Sequence, residues 1–224
     1  MSVLMSCENV SKTYSGNLQP TLVNINLTIK KNNLYFIKGP SGSGKTTLLN
    51  ILSLIDAHSS GIMKFNNFDI SSMNTKAKNQ ILLNDIGMIF QKYNLLSPLN
   101  VIENIMISRL YADFSKKDCI ISKAKQVIKL LHLEGLEERK INQLSGGQQQ
   151  RVAIARVLMQ EPELLLADEP TANVDKETEA IIMDIFSQYR EKGALIIVSH
   201  NDSYADIVDA SYELNKGRIS SYEK

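Results

Sequence analysis

Gly39-Pro40-Ser41-Gly42-Ser43-Gly44-Lys45-Thr46-Thr47 follows the apolar run Leu34 to Ile37 and precedes Leu48, Leu49, Ile51 and Leu52. The run reads as a buried strand and the later spacing as a helix, so the local order is strand, glycine-rich loop, helix. Gly39 to Thr46 fits the spacing of a phosphate loop. Its glycines let the backbone turn tightly enough for successive N–H groups to converge on phosphate oxygens. The helix opening near Lys45 adds its positive dipole end. Lys45 is placed to reach the outer phosphates, and the Thr46 hydroxyl to ligate Mg²⁺.

The chain has 224 residues, enough for one large α/β domain or a domain with an inserted lobe. Apolar residues make up 43% and charged residues 22%, ordinary for a globular core. A net charge of +1 gives no strong overall field for nucleic acid or an anionic membrane, although a local patch stays open. Cys7 and Cys119 are far apart and lack metal-ligand spacing, so both are expected as free thiols in a reducing compartment; nothing supports a disulfide between them. Met1 to Val10 contains Glu8 and no long apolar core, unlike a signal peptide. Leu164 to Ala167 and Ala194 to Val198 are far too short to cross a bilayer. Any membrane span is expected from another chain.

Val3 to Cys7 reads as a short edge strand, and Ser15-Gly16-Asn17 as a turn cluster. Val23, Ile25, Leu27 and Ile29 alternate with polar residues, the mark of a half-buried strand. Strands are expected at Ile62 to Phe65, Ile86 to Phe90, Leu164 to Ala167 and Ala194 to Val198. Helices are expected at Thr75 to Asn84, Glu177 to Tyr189 and Tyr204 to Val208. Ser211 to Leu214 and Arg218 to Ser221 read as a closing hairpin. From Lys92 to Ile141 the character turns helical: Ile120, Ile121, Ala124, Val127, Ile128 and Leu131 share one face of Ser115 to Leu131. With the helix opened by Ser145-Gly146-Gly147, this predicts a helical lobe of about residues 92–157, inserted between strands of the α/β core.

A phosphate loop needs an acidic partner, and Asp168 ends an all-apolar strand, where parallel sheets place ligands. Its carboxylate is suited to hold Mg²⁺ opposite Thr46, and Glu169 to orient and polarise an attacking water. The other role for this pair is an acidic helix cap before Pro170. Gln91 and His200 also end apolar strands. Taken singly, each is more simply a satisfied polar terminus; taken together, they complete a site on one sheet edge. Gln91 could then touch Mg²⁺ and water, and His200 the terminal phosphate and that water.

Leu144-Ser145-Gly146-Gly147-Gln148-Gln149-Gln150-Arg151 opens a second helix with a natural cap and two glycines, a second anion-binding device. Physics alone leaves an ordinary glycine-containing helix start open. Two such devices in one chain point to two chains sharing each nucleotide, head to tail about a twofold axis.

Gly39 to Thr47, Gln91, Leu144 to Gln148, Asp168-Glu169, Thr171 to Asp175 and His200, in that order and across the whole chain, resemble the motif set of an ATP-binding-cassette (ABC) transporter ATPase subunit. The resemblance implies a phosphate-loop NTPase core with an antiparallel β subdomain and an inserted helical subdomain. It implies ATP and Mg²⁺ as cofactors, with Gly39, Pro40, Ser41, Gly42, Ser43, Gly44, Lys45, Thr46 and Thr47 around the phosphates. Thr46, Gln91 and Asp168 would hold the metal, Glu169 would be the catalytic base and His200 the switch histidine, with Gln91 and Lys45 assisting. Tyr14, by itself an ordinary surface or core aromatic, matches the residue that stacks on adenine. Ser145, Gly146, Gly147 and Gln148 would contact the γ-phosphate bound by an opposing copy, and Asp175 would lie in the loop that crosses between copies. Ala172 departs from the commoner glycine or serine.

Tyr93 to Asn104, like the phosphate loop through Asn50, is similar to the lipoprotein-release, macrolide-export and cell-division ATPases. That similarity implies a transmembrane permease as partner, a second ATPase copy, no nucleic acid, and a place on the inner face of the cell membrane. Leu95, Leu96, Leu99 and Ile102 could line the groove for the permease or simply pack the lobe. The implied activity is ATP hydrolysis that powers export or extraction of a peptide, lipoprotein or drug. The alternative is mechanical signalling through a membrane partner without transport. A ribosome or nucleic-acid factor would be expected to carry two cassettes or long coiled coils, and this chain shows neither.

Overall fold

The computed structural model describes residues 2–222 except 17, 113 and 173, and leaves aside the side chains of 111, 112 and 114. Met1, Asn17 of the expected turn cluster and Asn173 of the Thr171–Asp175 loop thus lie outside the described residues.

The chain opens with β1 (Val3–Lys12) and β2 (Leu22–Lys30), followed by β3 (Leu34–Lys38) and α1 (Lys45–Leu52). β4 (Ser60–Phe65), the two-residue β5 (Phe68–Asp69), α2 (Thr75–Asn84) and β6 (Ile86–Ile89) come next. α3 (Val101–Ala112), α4 (Lys117–Leu130) and α5 (Gly146–Leu158) separate β6 from β7 (Leu164–Asp168). α6 (Lys176–Gln188), β8 (Ala194–Ser199), β9 (Ala210–Asn215) and β10 (Arg218–Ser221) complete the chain.

Two sheets form, a four-stranded antiparallel one in the order β2-β1-β4-β5 and a six-stranded one in the order β10-β9-β3-β8-β7-β6. The second is parallel from β9 to β6, with β10 antiparallel on its rim. Alternation along its strands divides the core in two. Leu34, Phe36, Leu165, Ala167, Leu195 and Ile197 face a cluster built with α3 to α6. Tyr35, Ile37, Leu164, Leu166, Ile196 and Val198 face the antiparallel sheet, with Leu48, Leu49, Ile51 and Leu52 of α1 in the same cluster. β3, β7 and β8 are covered on both faces, which is why their sequences read as continuous apolar runs rather than alternations.

The sequence expectation of an edge strand at Val3 to Cys7 is wrong. β1 runs on to Lys12 and sits inside its sheet, between β2 and β4. Asn9, with φ of 53°, puts an irregularity into both pairings, so the polar Glu8-Asn9 step marks a bulge rather than a strand end. The helix expected at Tyr204 to Val208 is a 3₁₀ turn at Asp202–Asp206. It starts earlier because the Asn201 side chain accepts from Ser203 N and caps it. Tyr204 is fully buried there, its ring 6.0 Å from Phe36 and its hydroxyl 2.6 Å from Thr171 Oγ1.

Candidate functional site

The carboxyl ends of β3, β6, β7 and β8 converge on a cleft of about 690 Å³. Ser41, Gly42, Gly44, Lys45, Thr46, Thr47, Gln91, Asp168, Glu169 and His200 line it, together with Thr21, which sequence reasoning missed. Gly39, Pro40 and Ser43 shape the loop behind this lining. The ammonium of Lys45 donates to the carbonyls of Gly39 (2.7 Å) and Pro40 (3.0 Å), tying the loop closed. Gly44 caps α1 with φ of 103°, and a Cβ there would meet Leu22 Cδ2 at 2.9 Å and Thr21 O at 3.1 Å, so this turn requires glycine. No side chain caps α1 and its first turn holds no acidic residue. Its leading N–H groups are thus available to an anion. Ser43 Oγ is buried in this cradle without a hydrogen-bond partner, which fits a loop built around a polar ligand.

Asp168 is 5% exposed and accepts from Thr46 Oγ1 at 2.9 Å. Burial pushes its carboxyl above the ordinary value, opposed by the Thr46 hydrogen bond; the neighbouring Glu169 charge pushes further up and Lys45 pulls down. A buried carboxylate short of positive charge, beside a hydroxyl oxygen and with Gln91 on the same cleft wall, is a hard-oxygen set that fits Mg²⁺. Among the described residues no cluster of three or more His, Cys, Asp or Glu offers a metal cage of its own. A metal here would therefore share its shell with water and the nucleotide.

Glu169 leaves β7 in a left-handed conformation, φ 48°, directly before Pro170, a costly geometry for a residue with a side chain. Its N–H donates to Val198 O and its carbonyl accepts from Ala172 N, so the turn is locked into the sheet end. Glu169 Oε1 accepts from His200 N at 3.1 Å and lies 2.9 Å from His200 Nδ1. An ionised carboxylate only accepts, so Nδ1 carries a proton and donates. Glu169 Oε2 accepts from Ser199 Oγ at 2.7 Å.

The remaining expected residues lie apart from the cleft lining. Tyr14 is 37% exposed, and one face of its ring covers the Lys12 ammonium at 4.7 Å. Lys12 is itself held by Asp56 at 2.7 Å. Ser145 caps α5 in a closed box: its hydroxyl accepts from Gln148 N, and Gln148 Oε1 accepts from Ser145 N. A Cβ on Gly147 would stand 2.7 Å from Thr178 Oγ1 and 3.3 Å from Asp175 Oδ2, so α5 and the start of α6 touch there. Asp175 caps α6 by accepting from Thr178 N. Buried Gln150 of α5 donates to Pro170 O at 2.7 Å, linking this second device to the strand end that carries Glu169. Arg156 of α5 donates to the carbonyls of Asn94 and Tyr93, holding the segment after Gln91 onto the same helix.

For Leu95, Leu96, Leu99 and Ile102 the sequence left open either lining a groove beside Gln91 or packing the lobe. The groove of about 270 Å³ found there is lined instead by residues including Ile55, Leu82, Met88, Phe90 and Arg156. Leu95 and Ile102 pack onto the helical core, and Leu96 is 45% exposed. The sequence lacks a signal for this because the groove joins three segments far apart in the chain.

Replacing Lys45 by alanine removes both the loop tie and a charge aimed at phosphate. ATP affinity, measured by calorimetry, is expected to fall roughly 10- to 100-fold, the range for losing a charged hydrogen bond. Unchanged affinity would count against this cleft as the nucleotide site.

The model of the ABC transporter family matches residues 22–172. The macrolide export ATP-binding/permease protein MacB of Campylobacter fetus is 39% identical over 221 residues, 97% of this chain but 34% of that protein. The chain thus spans about a third of that relative's length. The lipoprotein-releasing system ATP-binding protein LolD of Ehrlichia ruminantium is 35% identical over 229 residues, 99% of each chain. Among solved structures, the ATP-binding cassette MJ0796, in a dimeric post-hydrolysis state with ADP and Pi, superposes with a TM-score of 0.91 at 32% identity, covering 99% of this chain and 98% of that one. With the family model matched over residues 22–172 and relatives of 35–39% identity matched along nearly the whole chain, the chain belongs to the ABC transporter family as an ATP-binding ATPase subunit, akin to those of lipoprotein-releasing and macrolide-export systems.

Proposed function

We propose that two copies of this chain close head to tail around two ATP molecules, hydrolyse them, and drive a separate membrane permease that exports or extracts a peptide, lipoprotein or drug. One observation carries the dimer: the second anion-binding helix start, Ser145 to Gln148, does not line the cleft that holds the phosphate loop. A second copy gives it a phosphate to meet. The dimeric neighbour with ADP and Pi supports a second ATPase copy. The helices of residues 92–157 form the lobe that carries this device to the partner copy. Tyr14, braced from below by Lys12, offers its other face to adenine.

In the closed pair the loop N–H groups and Lys45 bind the phosphates and fix the γ-phosphorus for in-line attack. Thr46, Asp168 and Gln91 would hold Mg²⁺, which neutralises phosphate charge when bound. Glu169 takes a proton from water as its oxygen bonds to the γ-phosphorus. The bond from that phosphorus to the bridging oxygen breaks, and ADP and phosphate leave. His200 orients the water and donates toward the γ-phosphate oxygens.

No helix among the described residues is long and apolar enough to cross a membrane. In this reading the permease supplies the membrane spans, and this chain acts on the inner face of the cell membrane. The groove beside Phe90, with Ile55 54% exposed at its edge, offers an apolar contact for it. Affinity capture from detergent-solubilised membranes is expected to recover an integral membrane protein with the wild-type chain and to lose it with Ile55→Glu. Recovery of ribosomes or DNA without a membrane protein would overturn the assignment. Reconstituted in vesicles, the pair is expected to show ATP-dependent movement of solute or lipid-linked cargo; ATP turnover without movement would favour a mechanical role.

A further inference from the structure

Ser199 is the last residue of β8 and is 2% exposed. Its hydroxyl lies 2.7 Å from Glu169 Oε2 and 3.0 Å from Asn201 N. A serine hydroxyl has one proton and two lone pairs. The Asn201 N–H occupies a lone pair and an ionised carboxylate cannot donate, so the Ser199 proton is committed to Glu169 Oε2. The sheet register produces this meeting. Asp168 pairs with Val198 across β7 and β8, so Glu169, just past the end of β7, meets Ser199, the last residue of β8. Asp168 turns toward Thr46 of α1 instead.

The two carboxylate oxygens of Glu169 therefore have different surroundings. Oε2 is held by a buried hydroxyl, itself anchored to backbone. Oε1 accepts from the backbone N–H of His200 at 3.1 Å and from the His200 ring; that side chain is 74% exposed and, by swinging toward a ligand, frees a lone pair on Oε1. We propose that Ser199 is a positioning residue for hydrolysis: it clamps Oε2 to the sheet, so that Oε1 is the oxygen left to take the proton from water. This rests on Glu169 being the base. During the step Ser199 neither gains nor loses a proton; it keeps its donor bond while Oε1 becomes protonated.

The test is steady-state ATP turnover and ATP affinity of the full chain as Ser199→Ala, Ser199→Thr, Glu169→Gln and the Ser199→Ala/Glu169→Gln double variant. Ser199→Ala is expected to lower kcat by roughly 10-fold or more, the effect of losing one hydrogen bond to a charged group. ATP affinity and KM should stay within about two-fold, because the interaction matters only to the chemical step. Ser199→Thr restores the hydroxyl and is expected to restore the rate. The double variant should be no slower than Glu169→Gln, since the two groups act as one unit. Full kcat in Ser199→Ala, failure of threonine to rescue, or multiplied losses in the double variant would each overturn the proposal. Should Ser199→Ala fail to bind ATP, Ser199→Cys keeps the volume with a weaker donor and is expected to give an intermediate rate; an undiminished rate there overturns it too. Normal turnover in Glu169→Gln defeats the base assignment and this proposal together. Glu169→Gln inactive with Ser199→Ala fully active defeats this proposal alone.

Discussion

Glu169→Gln is expected to bind ATP as the wild type does, to hydrolyse it roughly 10²- to 10⁴-fold more slowly, the usual contribution of a positioned general base, and to accumulate as an ATP-bound dimer. Glutamine preserves the length of the side chain and an oxygen for the Ser199 hydroxyl. It removes the charge and the ability to accept a proton from water. The phosphate loop, Thr46 and Asp168 are untouched, so the binding half of the site stays intact. Dimer dissociation would then wait on a hydrolysis step that hardly occurs. Phosphate release under saturating ATP measures the first effect, and size-exclusion chromatography with and without ATP measures the second. Normal phosphate release would remove Glu169 from the mechanism.

Gly146→Ala tests the proposed sharing of each site between two copies. A Cβ at Gly146 meets only Tyr93 Oη, at an ordinary 3.6 Å, and the residue sits in the first turn of α5. Within one chain the methyl group is therefore accommodated, and alanine's better helix propensity adds about 0.5–1 kcal/mol at most. The expected result is an unchanged or slightly higher Tm, unchanged ATP affinity of the monomer, and loss of ATP-driven dimerisation and of most turnover. The loss would arise because, in the proposed dimer, the methyl group stands where a partner's phosphate approaches the α5 N–H groups. Gly147→Ala makes the contrast. Its Cβ would collide with Thr178 and crowd Asp175 inside the same chain, so its Tm should fall by the cost of overpacking, about 1–3 kcal/mol. Retained dimerisation and turnover in Gly146→Ala would refute the second anion device as a contact between copies.

Much of the site was legible because its parts are local. A strand, glycines at fixed offsets, Lys45 and Thr46 are contiguous, and their chemistry depends on neighbours along the chain. The same holds for Ser145 capping α5 and for Asp168 closing β7. The less local features misled. β1 looked like a short edge strand because its bulge at Asn9 mimics a strand end. The groove beside Phe90 draws Ile55, Leu82 and Arg156 from three separate segments, and no periodicity joins them. Lys12 beneath Tyr14 depends on Asp56, 44 residues away.

By itself the sequence determined a phosphate-loop α/β chain with a second helix start that is serine-capped and opens on two glycines, because backbone conformation, capping and strand burial follow from short stretches. The tertiary structure decided which groups face one another. The parallel register of β7 and β8, set by packing on both faces of the sheet, carries Asp168 to Thr46 and brings Glu169 against Ser199 and His200, about thirty residues away in the chain. Such a pairing is a property of two surfaces closing on a core, and nothing local to either stretch encodes it.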